Sequence, residues 1–445
     1  MYLILAMAFL VVFLSPLALV KKGNGDIFNP LKINAMLHIL TVVPYLLIFQ
    51  FNQEILGEGL LTRFADIDVL FLKYFILQSL SYYFIVGGIF NKQSIQFAKK
   101  IPSFNYEISP NRYTLTVIIS FTIGLASYFY LMSQIGGMSF FLDNIQARAS
   151  LTQGLGYHSL LIQFMTFGAL LLLYTFRFKV GFFKVLIVFI LLSLTIVLES
   201  MFGGRKDSVY LIFFAVLIYH YTYKRIKVIN WKLVIPISIV TLYFITMPLL
   251  RVDGAIEYYS SNPTELISDA FESPVDQINS FSYVRHYLLV IDEFDYNNIW
   301  LGRTYLDMLY TPIPRTYFQA KPPIDDGVYL RSIVAGYDVY PNAPYDQLFQ
   351  SSWPPESFGA LYMNFWIPGL LIGMYLLGFI YRTLYEFMVK SKYDFFSTML
   401  YGFMVINFQL SNLRIVQAIT FIMILLLFSI IFLQIRKSTK KLASI

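Results

Sequence analysis

The sequence predicts an all-α polytopic membrane protein, with about eleven transmembrane helices and one large ordered external loop that contains short helices. Three observations predict it. Of the 445 residues, 57% are hydrophobic and only 13% are charged, whereas soluble globular chains are nearer a quarter charged. The apolar residues come in continuous runs of about 20, the length that crosses a ~30 Å hydrocarbon core at ~1.5 Å per residue. The runs do not alternate apolar with polar, which excludes the ~10-residue strands of a membrane β-barrel.

Eleven runs meet this description, near residues 1–20, 33–51, 69–91, 113–133, 156–176, 180–200, 207–223, 232–250, 358–381, 394–411 and 415–435. The first has no basic flank before it, and Lys21 and Lys22 follow it. It therefore reads as a retained span with the N-terminus outside, not as a cleaved signal peptide. The last, 415–435, leads into a basic tail. The connections on the opposite side are 21–32, 92–112, 177–184, 224–232, 382–392 and the tail from 436. They hold 21 of the 33 basic residues. A positive-inside bias of this kind places them, and the C-terminus, on the cytoplasmic side of the membrane. It also accounts for the net charge of +7 without nucleic acid. There is no cysteine, so disulfides, thiolate metal sites and cysteine nucleophiles are excluded.

The remaining 12 basic residues fall outside, and nine are Arg, whereas the cytoplasmic segments carry 16 Lys to 5 Arg. Charge alone would be met by either residue. Selection for Arg suggests geometry, because a planar fork binds phosphate or carboxylate in a bidentate way and stays charged when partly desolvated. Pairing with nearby acids is the plainer alternative.

Residues 251–357 stand apart as one segment of 107 residues holding 15 of the 26 acidic residues. Loops beyond ~12–15 residues are commonly functional or disordered, and this one is rich in Tyr, Phe, Leu and Ile. Ser273-Pro274 with Asp276 reads as a helix start. Ile278, Phe281, Val284, Leu288 and Ile291 then recur at helical spacing. Thr304–Tyr310 reads as a second short helix ended by Pro312 and Pro314, and the stretch to Pro355 as packed irregular structure. Three parts follow: spans one to eight in 1–250, an external subdomain in 251–357, and spans nine to eleven with the tail in 358–445.

Signatures of phosphate-cradling loops, zinc proteases, serine hydrolases and dinucleotide folds are missing, and the four histidines are scattered. No metal site and no cofactor is expected, with Asp325-Asp326 as a weak signal for the alternative of a carboxylate metal site. Four clusters could carry chemistry. Gly203-Gly204-Arg205-Lys206-Asp207 is a tight turn at a helix N-terminus, where backbone donors favour anions; a plain helix–helix turn is the alternative. Pro312-Ile313-Pro314-Arg315 and Lys321-Pro322-Pro323 set two cations on a stiff backbone before Asp325-Asp326-Gly327, an arrangement suited to a pyrophosphate or to a structural ion pair. Arg285-His286 offers a proton acceptor near neutral pH, or a structural histidine. Glu356 stands at the mouth of the ninth span, where the helix dipole favours a carboxylate in any case. Gly369, Gly373 and Gly378 follow it and permit close helix packing.

The order of these features resembles the Wzy-type polymerases of O-antigen and capsule repeat units. The likeness rests on many spans, a Gly-Gly-Arg turn, and a large late loop with Pro314-Arg315 and Lys321-Pro322. It continues in Glu356-Ser-Phe-Gly-Ala-Leu-Tyr-Met-Asn-Phe and a Gly-rich helix. Trp366 stands where that family commonly has Gly. The resemblance implies a metal-independent, GT-C-like glycosyltransferase. It would move the growing glycan from undecaprenyl pyrophosphate to a hydroxyl of an incoming undecaprenyl-pyrophosphate-linked repeat unit. Its partners would be that lipid-linked oligosaccharide, membrane lipid and a chain-length regulator protein. Arg205 and Arg315 are the first candidates for the pyrophosphate, with Lys321, Arg251, Arg285 and Arg331 beside them. His286, Glu356, Asp325 and Asp326 are the candidate bases. A lipid-linked oligosaccharide flippase or transporter, and an O-antigen ligase sharing the donor chemistry, are the alternatives.

Overall fold

The computed structural model describes residues 1–19, 25–105, 110–144, 151, 155–178, 180–201, 205–226, 242–243, 245–246, 249–251, 254–272, 278–279, 281–315, 317–434 and 436–437. Among them the protein is helical, apart from a two-residue antiparallel ladder that joins Phe104–Asn105 to Arg436–Lys437. Eight helices are long and apolar enough to cross a membrane, and two shorter apolar helices span Ser208–Thr222 and Phe395–Asn407. These ten match ten of the eleven expected spans. The expected span 232–250 falls largely outside the described residues.

The main helices are α1 (Tyr2–Leu14), α2 (Pro30–Phe49), α3 (Ile67–Phe90), α4 (Lys92–Lys100), α5 (Pro110–Ile135), α6 (Gly156–Tyr174), α7 (Phe182–Met201) and α8 (Arg205–Thr222). They continue as α9 (Val284–Glu293), α10 (Gly327–Val334), α11 (Glu356–Lys390), α12 (Phe395–Asn407) and α13 (Asn412–Ile431). Local signals start them. Asn29 accepts a hydrogen bond from Leu31 N ahead of Pro30 at the first turn of α2, and Asp66 accepts from Val69 N to open α3. Such caps satisfy backbone donors that the helix itself leaves unpaired.

Two compact units divide the chain, and they do not follow chain order. The first comprises Met1–Ile101, Val275–Phe387 and Phe403–Ile422. The second comprises Pro102–Pro274, Met388–Gly402 and Met423–Ile445. In the first, Tyr2, Phe49 and Phe71 meet edge to face or tilted with centroids 4.7–5.0 Å apart, joining α1, α2 and α3. Residues 275–357, most of the expected external segment 251–357, belong to this unit. In the second, α5 and α6 pack along a core of Tyr128, Leu131, Met132, Ile162 and Met165. Gly124 and Gly168 let the two helices close, because a Cβ at either would meet the partner helix at 2.6–2.7 Å.

Two expectations about helices are corrected. The expected helix from Pro274 through Ile291 is interrupted. Residues 273–277 lie outside the described set, Tyr283 is non-helical, and α9 begins only at Val284. Its buried face is Val284, His286, Leu288, Leu289, Val290 and Ile291. The stretch expected to be irregular up to Pro355 contains α10, whose Val328, Tyr329, Leu330 and Ile333 are buried. The expected short helix at Thr304–Tyr310 is present as a 3-10 helix, Arg303–Tyr310.

The expected ninth span, 358–381, departs most. A straight helix of the length of α11 would extend about 50 Å. Instead Trp366 has φ 55 and ψ −153, a region that residues bearing a Cβ rarely adopt. The chain reverses there. A Cβ on Gly373 would collide with the side chain of Leu361, a residue about 18 Å away along an unbroken helix. Ser357 Oγ donates to Gln409 Oε1 and accepts from Leu410 N at 2.7 Å, while Tyr381 Oη donates to Phe408 O at 2.6 Å. Ser357 and Tyr381 therefore both reach the same turn. The break leaves backbone groups without helical partners, and Trp300 N donates to Met363 O at 3.0 Å in place of one of them. Beyond the break, Gly378 lies against the backbone of Ile85, with Gly88 against that of Tyr375. Of the three glycines expected to permit close helix packing, Gly378 does so against α3, whereas Gly369 and Gly373 meet Phe365 and Leu361 of α11 itself.

Candidate functional site

Three of the four expected proton-handling residues gather along the segment 352–356, within the first unit. Trp353 N donates to Gly327 O at 2.9 Å, which holds that segment against the turn leading into α10. Asp325 lies in the turn. Its Oδ1 accepts from Gly327 N at 2.9 Å, and the nearby Ser352 hydroxyl favours the charged carboxylate. Burial raises its pKa against both effects.

His286 projects from α9 onto the same segment. Its ring stacks on Trp353 with centroids 5.0 Å apart. Nδ1 lies 3.1 Å from Pro354 O, an acceptor only, so Nδ1 carries the proton. Nε2 is buried and has no hydrogen-bond partner among the described residues. Burial first, and the neighbouring Arg285 charge second, push the histidine pKa down to about 3. His286 is thus a neutral ring at physiological pH, with one nitrogen bare.

Glu356 opens α11 at φ 49, a left-handed conformation that aims its carboxylate at α13. Arg414 Nε donates to both carboxylate oxygens at 3.1 and 2.9 Å, and Nη2 donates to Oε1. Nη1 goes to Asn407 Oδ1 at 3.1 Å and Gln417 Oε1 at 3.3 Å. The Tyr283 hydroxyl joins the same pair. The fork is therefore committed within the protein. Asp326 is held by the start of α13: Oδ2 accepts from Asn412 N at 2.9 Å and Oδ1 from Asn412 Nδ2 at 3.0 Å. Complete burial pushes its pKa up to about 7 in spite of those bonds.

The expected cations fall into three groups. Arg285 and Arg331 both lie over the Trp353 ring, at 4.7 and 5.4 Å, and Arg331 also lies 4.6 Å over Phe349. They join His286 around one indole. Arg315 lies flat on Tyr345 at 3.7 Å. Lys321 is buried, and its Nζ donates to Thr311 O at 3.3 Å and Ile313 O at 2.8 Å. Desolvation, then the Arg315 charge, lower its pKa. Lys321 ties the proline-rich turn together with two of its three donors. Arg205 begins α8 and Arg251 ends a short 3-10 turn, but their side chains, with the glycines at 203 and 204, lie outside the described residues.

Several polar residues of this region escaped sequence reasoning. Arg414 counts among the nine external arginines but nothing in the sequence gives it a role of its own, and Asn412 near it reads as an ordinary flank of an apolar span. Asp307 is fully buried, accepts from Tyr329 Oη at 2.8 Å and Asn342 Nδ2 at 2.7 Å, and is pushed by burial up to about 6. Asn364 Nδ2 donates to Thr304 Oγ1 at 2.9 Å, and Asn412 Nδ2 also reaches Thr304 O at 2.6 Å. The one available signal was a run of Asn, Gln, Ser and Arg at 407–414 between two apolar stretches. Among the described residues no three His, Asp or Glu side chains group as metal ligands do. Comparison with family models, with curated proteins and with solved structures found no match.

Proposed function

We propose that this chain polymerises lipid-linked oligosaccharide repeat units on the outer face of a bacterial inner membrane. It would do so with eleven spans, the N-terminus outside, the C-terminus in the cytoplasm and residues 251–357 outside. The observation that carries the reading is the convergence of Arg285, Arg331, His286 and Asp325 on the segment 352–356, in a chain of apolar helices.

The reaction needs a cationic grip on a leaving pyrophosphate and a base for a sugar hydroxyl. The acceptor oxygen attacks the anomeric carbon, the bond from that carbon to the pyrophosphate oxygen breaks, and its electron pair leaves with the pyrophosphate. Arg285 and Arg331 are the guanidinium groups that would meet the developing charge. The environments reorder the four candidate bases. Glu356 is occupied by Arg414, Asp326 by Asn412, and His286 is held at too low a pKa to accept a proton efficiently near pH 7. Asp325 is the base this reading favours: burial raises its pKa above the usual carboxylate range, which strengthens a carboxylate as a base, and it lies in the turn whose Gly327 O accepts from Trp353 N.

The test is the glycan profile of a strain lacking the chain. Single-repeat products are the expected outcome. Repeat units stranded on the inner leaflet would make it a flippase, and long chains left on their lipid carrier would make it a ligase. Purified protein is expected to extend glycans in excess EDTA, because guanidinium groups already supply the charge. Loss of activity restored by Mg²⁺ or Mn²⁺ would refute that part of the reading.

A further inference from the structure

The 3-10 helix Arg303–Tyr310 is amphipathic in the reverse of the usual sense. Its polar Thr304 and Asp307 are fully buried, bonded to Asn364, Tyr329 and Asn342. Its leucines face out: Leu306 is 54% exposed and Leu309 72%. A short helix in water would turn these leucines inward, because burying a leucine is worth ~1.5–3 kcal/mol. Single exposed leucines need no explanation, but a contiguous apolar patch does.

The exposed apolar residues extend beyond the two leucines. Leu301 precedes the helix and Ile313 follows it, both exposed. Tyr305 stacks on Phe365 at 5.7 Å, and a Cβ on Gly302 would meet the same Phe365 ring at 2.9 Å. Phe365 is itself exposed, and beyond the reversal so are Ile372 and Leu376, one turn apart on the long arm of α11. That arm is part of one of the apolar helices suited to crossing a membrane. The outward face of 301–313 therefore continues the lipid-facing surface of α11. Its rim is of the kind found at a bilayer surface: Tyr296, Tyr310 and Tyr317 are exposed, and Arg303 and Arg315 flank Leu306, Leu309 and Ile313 in the chain. Tyrosine and arginine favour the headgroup level, where an apolar body and a polar tip are both accommodated.

We infer that residues 301–313 form a monotopic element that lies in the lipid bilayer beside α11, with Leu306 and Leu309 among the acyl chains. Such an element enters the boundary of headgroups and chains by ~5–10 Å without spanning. Its partner is the lipid phase itself. The inference requires only that α11 borders a bilayer, and it stands whether or not the chain is a polymerase.

The chain has no cysteine, so single labels can be placed cleanly. Leu306→Cys and Leu309→Cys variants of the full chain, carrying an environment-sensitive fluorophore, would be reconstituted in phosphatidylcholine vesicles. Ile372→Cys serves as the lipid-facing reference and Asp338→Cys, on an exposed loop, as the water-facing one. The expected result is blue-shifted emission at 306 and 309, quenched by nitroxide-labelled lipid to the extent seen at 372. Emission and quenching like those at 338 would overturn the inference. So would blue-shifted emission that lipid nitroxide fails to quench, since the face would then be covered by protein. Leu309 and Leu306 are both exposed, so either variant suffices if the other fails to fold.

Discussion

Replacing Glu356 with glutamine separates a structural role from a catalytic one. The carboxylate takes three N–H contacts from Arg414, and the two side chains are only 6% and 13% exposed. Removing one partner of a buried pair costs ~3–5 kcal/mol, because the other charge is left uncompensated. Arg414 keeps its bonds to Asn407 and Gln417, so Glu356→Gln should fall near the lower end, about 3 kcal/mol. Arg414→Gln leaves a buried carboxylate with little beyond the Tyr283 hydroxyl and should fall near the upper end, about 5 kcal/mol. The double variant should cost clearly less than the sum of the two, as residues in direct contact do. The assay is the apparent melting temperature in one detergent at one scan rate, since unfolding of a protein of this kind is read as a rate. Both single variants melting with the wild type, or a double variant that is strictly additive, would refute the reasoning. Activity lost at an unchanged melting temperature would instead return Glu356 to the chemistry.

Asp326, buried and raised to about 7, should show a protonated-carboxyl infrared band at pH 6 that fades above pH 7 and is absent in Asp326→Asn. The fold favours its protonated form, so this group's stabilising contribution is full below about pH 4 and is lost as pH rises toward 7; an ionised Asp326 at pH 5 would contradict this. Trp366 in a glycine-like conformation should make Trp366→Gly melt higher than Trp366→Ala. Both variants lose the ring contact with Tyr296, but only glycine releases backbone strain of ~1–3 kcal/mol, and the opposite order would refute the strain. If the proposed polymerase reading holds, Arg285→Lys and Arg331→Lys should shorten the glycan at normal protein level, because an ammonium lacks the planar fork that lies on Trp353 and suits a phosphate; full-length glycan from the joint lysine variant would remove both from the site.

The membrane character, the basic flanks and most of the helices were legible in the sequence, because a run of about 20 apolar residues has one stable course through hydrocarbon wherever its neighbours are. The Arg303–Tyr310 helix was legible for a related reason: Pro312 and Pro314 stop a helix from within the chain. The short α10 was not, since eight residues give too few turns for periodicity to stand out. The reversal at Trp366 was also hidden. Its φ of 55 is imposed by Leu361 meeting Gly373 and by the shared turn at 408–410, none of which is local. The candidate site divides along the same line. Residue type marked Arg285, His286, Asp325, Asp326 and Glu356 as groups that could do chemistry. Only tertiary structure put Arg414 against Glu356, Asn412 against Asp326, and Trp353 under His286, Arg285 and Arg331. A charged group's partner and its distance from water decide whether it is held or available, and those depend on residues 22 to 86 positions away in the chain.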